Sequence, residues 1–154
     1  MKLIFVILVM LSFNNLAFAE TPKLKTKDGY ENDSYEICVK EWTKRGELNR
    51  RMYNYCMEQQ MKAYYKLKEL HFYADQSFYS DIAYPYCMKD WSKRGVVNTR
   101  MLVYCLEQEV EGIKDVMYYR KQYGEESVNK IAGLALETYG SWRMAAYSVE
   151  QAFE

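Results

Sequence analysis

Residues 35–61 and 84–110 of this chain are one segment written twice. At a shift of 49 they agree at 14 of 27 positions without a gap, and the shared pattern is C-x3-W-x-K-R-G-x2-N-x-R-M-x2-Y-C-x-E-Q. A period near fifty residues belongs to a duplicated supersecondary unit, which buries its apolar face by stacking on its neighbours. A worn third copy closes the chain: Arg143, Met144, Tyr147, Glu150 and Gln151 match Arg100, Met101, Tyr104, Glu107 and Gln108 at a shift of 43. In that register Ser148 stands where the second cysteine was and Lys130 where the first was, so both cysteines are lost together.

Each copy reads as two helices. In the first, Asp33 with Glu36 three residues on forms a capping-box-like start. The helix that follows carries Cys38 and Trp42 on one face, at i and i+4. Lys44-Arg45-Gly46 reads as a break, with cations at a helix C-terminus and glycine in the left-handed position beyond it. Asn49 then takes the N-cap place, as do Asn98 and Ser141 in the later copies. From Asn49 the second helix carries Met52, Tyr55, Cys56 and Gln59 at i, i+3, i+4 and i+7 and continues toward Leu70. The second copy runs to a stop at Gly124; the third spans Glu125 to about Thr138 and resumes at Ser141. No stretch sustains a strand-like alternation. The expected fold is all-α: two disulfide-stapled helical hairpins plus a degenerate third, packed as a short solenoid or bundle, with copies at about 33–76, 77–124 and 125–154.

The cysteine spacing makes the pairing. Cys38 lies six residues before Lys44 and Cys56 seven after Asn49, so antiparallel helices bring both to a depth of about 10 Å. Axes about 8–10 Å apart let facing Cα atoms approach to about 5 Å, inside the disulfide window. Cys87 and Cys105 repeat the arithmetic, which favours Cys38–Cys56 and Cys87–Cys105 over crossed pairings. A structural zinc fits poorly, since the close C-x2–4-C spacing is missing, and no C-x-x-C redox pair occurs.

Cystines need an oxidising compartment, and the N-terminus supplies the address. Lys2, the apolar run Leu3–Leu11 and Ala17-Phe18-Ala19 are the three parts of a secretory signal, with cleavage expected after Ala19. The run is too short to span a membrane, and no cysteine follows it to take a lipid. Residues 20–32 read as a flexible N-terminal segment. Export to a bacterial periplasm, or secretion, is expected, with no membrane span after cleavage. The 21 basic and 21 acidic residues cancel, which gives no electrostatic case for nucleic acid. The single histidine excludes multi-histidine metal sites and most catalytic triads. No cofactor or metal is expected.

Two residue sets are candidates for binding. The basic loops with the helices behind them, Lys44, Arg45 and Arg51 and their copies Lys93, Arg94 and Arg100, have the elements of an anion site, although exposed cations at helix ends are ordinary. Tyrosines cluster at the far ends of the long helices, among them Tyr64, Tyr65, Tyr118 and Tyr119. They suit a contact surface or a seal between copies. Trp42 and Trp91, on the cysteine face, read as core, and His71 reads as a surface residue. The recurring pairs Glu58-Gln59, Glu107-Gln108 and Glu150-Gln151 read as structural, with Gln59 bonding within the hairpin or across to the next copy. No phosphate loop, nucleophile elbow, HExxH or calcium loop is present.

The C-x3-W … M-x2-Y-C-x2-Q signature resembles repeats in small exported bacterial proteins of uncharacterised function. Where those carry Trp-Gly-Thr-Asp-aromatic, this chain has Trp42-Thr43-Lys44-Arg45-Gly46. The resemblance implies a helical, disulfide-bearing envelope protein and carries no activity with it. The expected function is a non-catalytic binding or scaffolding module for a protein or envelope component. A small periplasmic inhibitor or immunity-type protein against a hydrolase or toxin is the alternative. An enzyme working through Glu, Asp, Tyr or Lys ranks third.

Overall fold

The computed structural model describes residues 22–154; the signal segment expected at 1–19 lies outside them. Six α-helices carry the described residues: α1 (Lys27–Trp42), α2 (Arg50–Leu70), α3 (Tyr84–Trp91), α4 (Thr99–Tyr123), α5 (Glu125–Tyr139) and α6 (Trp142–Phe153). They pair as three hairpins, α1 with α2, α3 with α4 and α5 with α6, and the second helices pack in chain order, α2 on α4 and α4 on α6. Leu102, Leu106, Val110, Ile113 and Val116 of α4 fall at helical spacing and are all buried, so α4 is the spine of the core. The fold is all-α, as the repeat predicts.

Both predicted cystines form, Cys38–Cys56 and Cys87–Cys105, each with Cα atoms 5.7 Å apart. The paired loss in the third copy is then that of a bonded pair, and unit three is held by packing instead. Each bridge closes a separation of 18 residues, for which chain entropy gives about 3 kcal/mol. Replacing both cysteines of one pair with serine is expected to lower the unfolding free energy by about that amount. Urea unfolding at pH 7 measures it; a loss under about 1 kcal/mol would mean that the bridges add little to packing.

The N-caps hold at all three predicted places: Asn49, Asn98 and Ser141 accept from the backbone N–H of Met52, Met101 and Met144. Two local readings are corrected. First, α1 begins at Lys27, inside the segment 20–32 expected to be flexible, capped by Thr26, which accepts from the Gly29 N–H. Asp33 is therefore no cap but lies mid-helix, buried, where its carboxylate accepts from Lys25 Nζ at 2.6 Å and from the Val97 N–H at 2.9 Å.

Second, the break between the helices of a unit is a miniature β-hairpin and not a glycine-capped helix end. β1 (Thr43–Lys44) pairs with β2 (Glu47–Leu48), and β3 (Ser92–Lys93) with β4 (Val96–Val97). Arg45 and Gly46 take φ of 53° and 84°, and Arg94 and Gly95 take 54° and 82°. Two consecutive positive φ values make the tight turn whose twist suits a hairpin, a place that asparagine and glycine fill most easily. Arginine occupies the first position in both copies.

Unit two enters its first helix through a π-helical segment, Phe78–Ala83, in which the Tyr84 N–H bonds to the Tyr79 carbonyl. Pro85 follows at once. Proline lacks the N–H that a regular helix would use here and crowds the carbonyl four residues back, so the looser turn absorbs the misfit.

Candidate functional site

Successive units are joined by one device. Gln60 of α2 donates from Nε2 to the Asn98 side chain (3.0 Å) and accepts the Arg100 N–H on Oε1 (3.0 Å). Its repeat equivalent, Glu109 of α4, accepts from Ser141 Oγ and from the Trp142 N–H, both at 2.6 Å. Both residues are 2 % exposed. Each second helix thus caps the next from the side, and the chemistry is matched: a glutamine that donates meets an asparagine oxygen, and a carboxylate meets a hydroxyl. Burial pushes the Glu109 carboxyl above its ordinary value, against the bonds from α6 that favour the charged form. At the same joint Gly112 lies against the backbone of Trp142 and Arg143, and Trp142 Nε1 donates to the Phe78 carbonyl at 2.9 Å.

Stacking in this way opens two clefts on either side of Trp91. Cleft one, about 520 Å³, lies between α1 and the second hairpin. Glu36, Ile37 and Lys40 face it from α1, Asp90 and Trp91 from α3, and Lys93, Arg94 and Val96 from the hairpin. That hairpin is buttressed: Lys25 reaches the Gly95 carbonyl while Asp33 holds the Val97 N–H. Lys40, Lys93 and Arg94 form no ion pair with any described residue.

Cleft two, about 440 Å³, lies where α4 meets α6. Tyr86 and Trp91 of α3, Tyr104 of α4 and Tyr147 of α6 give it aromatic walls, and Asp90, Gln108 and Arg143 give it polar groups. Cys105 of the second cystine, Met144, and Glu109 and Ser141 of the joint complete the lining.

The structure sorts the predicted residues. Lys93 and Arg94 come together in cleft one, but Lys44 and Arg45 sit exposed at the tip of the first hairpin and line neither cleft. Arg51 and Arg100 are exposed in the first turns of α2 and α4 and line neither cleft. The six cations are therefore not gathered into one site. Among the tyrosines, Tyr64 is not a contact residue: it is buried against Tyr30, with ring centroids 5.4 Å apart. Tyr65 and Tyr118 are exposed. Tyr119 is half-buried and stacks on Tyr123, which stacks in turn on Phe153 of α6 at 4.4 Å, so it belongs to a seal between helices.

Trp42 and Trp91 are half-buried and not core; Trp91 spends its free face on the two clefts. His71 is half-buried too, its ring packed on Tyr79 and Tyr84, and burial holds its imidazole below the ordinary value. The bond across to the next copy is made by Gln60 and Glu109, one place beyond the expected Gln59 and Gln108. The signal was in the numbering, since Cys56 plus four and Cys105 plus four give these residues the cysteine side of the helix.

The repeat also leaves an exposed pattern. Tyr55, Tyr104 and Tyr147 hold equivalent places on α2, α4 and α6 and are 53 %, 54 % and 55 % exposed. Arg51, Arg100 and Arg143 precede them by four residues, and Gln59, Gln108 and Gln151 follow by four, which sets the three types along one helical face. In unit three, which has lost its cysteines, Arg143, Tyr147 and Gln151 survive together with Met144 and Glu150.

Comparison with known protein families, with curated proteins and with solved structures finds no match. Among the described residues no cluster of His, Cys, Asp or Glu is arranged to hold a metal ion. No helix among them is long and apolar enough to cross a membrane.

Proposed function

We propose that this chain is a non-catalytic, exported binding module, working in the periplasm against a protein or envelope component through the face its second helices share. The observation that carries this reading is the threefold recurrence of an exposed arginine and an exposed tyrosine, followed one turn on by a glutamine. Packing accounts for repeated buried residues. Side chains that stand half in water gain little from folding, so their recurrence in a copy whose core has diverged calls for a contact outside the chain. Arg143 and Tyr147 of the worn copy line cleft two beside Tyr104 and Gln108 of the intact one, so the pattern converges on a concave surface. The two cystines fit an oxidising, exported environment.

The test is co-sedimentation of the mature protein with washed cell-envelope material. Tyr55→Ser, Tyr104→Ser and Tyr147→Ser together are expected to leave the fold intact and to weaken binding about tenfold or more. A triple variant that binds as well as the parent, or a parent that does not sediment at all, overturns the proposal.

A further inference from the structure

We infer that the two clefts flanking Trp91 form one elongated site for an acidic saccharide, a reading that rests on the binding-module function and gives it a ligand class. Cleft two takes the sugar ring and cleft one its negative substituent. The clefts share Asp90 and Trp91 as a common wall, and each has the volume of a small-molecule pocket, about 300–1,000 Å³.

The lining defines the chemistry. Cleft two sets the rings of Tyr86, Tyr104 and Tyr147 around Asp90 and Gln108, whose side chains make no hydrogen bond or ion pair with described residues, and around Arg143, whose charge acts on the buried Glu109 carboxylate at the cleft wall. An apolar ligand would strand these three polar groups on binding, at a desolvation cost. A small ion would leave the rings bare. A pyranose offers both what the rings need, a face of C–H groups, and what the polar groups need, a rim of hydroxyls that donate and accept.

Cleft one adds the charge. Lys40, Lys93 and Arg94 outnumber Glu36 and Asp90 there, and none of the cations is ion-paired with a described residue. A peptide is the weaker occupant, because the β3–β4 ribbon is two residues long on each side and offers little edge for backbone pairing.

Calorimetric titration of the mature protein tests this with four probes: an oligogalacturonate, a chondroitin sulfate hexasaccharide, neutral maltohexaose and a hexaglutamate peptide. The first two present carboxylate and sulfate on sugar and distinguish between those sources of charge. At least one is expected to bind about tenfold tighter than maltohexaose, with affinity falling as salt rises. Lys93→Gln with Arg94→Asn, which keeps a favoured turn residue, is expected to erase that preference and leave maltohexaose unaffected. Tyr104→Ser with Tyr147→Ser is expected to weaken every sugar about tenfold. Hexaglutamate binding as tightly as the acidic sugars, or no sugar binding at all, overturns the inference. If tyrosine-dependent sedimentation with envelopes persists while all sugars fail, the saccharide assignment falls alone; if both fail, the binding-module reading falls with it.

Discussion

Gly112→Ala is expected to break the seam between α4 and α6. A Cβ at this position would lie 2.6 Å from the Trp142 carbonyl carbon and oxygen and from the Arg143 nitrogen. These are backbone atoms of a capped helix start, so no side chain can rotate away and α6 must move. Overpacking of this kind costs about 3 kcal/mol or more. Movement of α6 would also pull Trp142 from the Phe78 carbonyl and Ser141 from Glu109. Gly133→Ala is the control. That glycine is inside α5 with nothing within 4 Å of an added Cβ, so the same change is expected to stabilise by about 0.5–1 kcal/mol through helix propensity. Urea midpoints of the two variants should move in opposite directions. Hydrogen exchange should show α5 and α6 loosening first in Gly112→Ala, since stacked units fail locally. Equal midpoints would show that the close approach at Gly112 is dispensable.

The second large effect concerns Glu109. Glu109→Ala strands the Trp142 N–H and the Ser141 hydroxyl in a buried place and leaves a void, for a combined loss of about 3 kcal/mol. Glu109→Gln is expected to remain within about 1 kcal/mol of the parent, because Gln60 already performs the same task at the first joint. The pH dependence separates the two forms. A carboxyl whose folded pKa is raised above its ordinary 4.5 contributes most below 4.5, and that contribution declines as pH rises through the folded value. The glutamine variant lacks this decline, so its stability relative to the parent should improve as pH climbs above 4.5. Ser141→Asn alone sets an amide oxygen against the carboxylate, and Glu109→Gln should rescue it by recreating the Gln60–Asn98 pair. A double-mutant cycle with no coupling between the two sites would reject the matched-pair account.

The halves of the structure differ in how openly the residues announced them. Helical hairpins, caps and cystines were legible because each is a short-range rule applied at a repeated spacing, as at Asn98 or between Cys87 and Cys105. The hairpin tips were missed because Lys-Arg-Gly also suits a helix end, and only the backbone shows Arg45 and Arg94 both left-handed. Asp33 was misread for a related reason: Thr26 had already supplied the cap, and what Asp33 serves, the Val97 N–H, is 64 residues away. The clefts were not legible at all. They arise from how far one unit is displaced along the next, which Gln60 and Glu109 set through contacts between copies. A motif shared by the copies shows what is common to them and is silent on their offset.

Each joint is made by a residue that precedes, in chain order, the helix it caps. A polypeptide delivered N-terminus first would therefore find every dock already built when the next hairpin arrives, so assembly has a direction, much as a zipper has a starting end. The equivalent place in the last unit is Ala152, whose methyl can neither donate nor accept. By that chemistry the third hairpin takes the joint offered by α4 and presents no equivalent bond of its own.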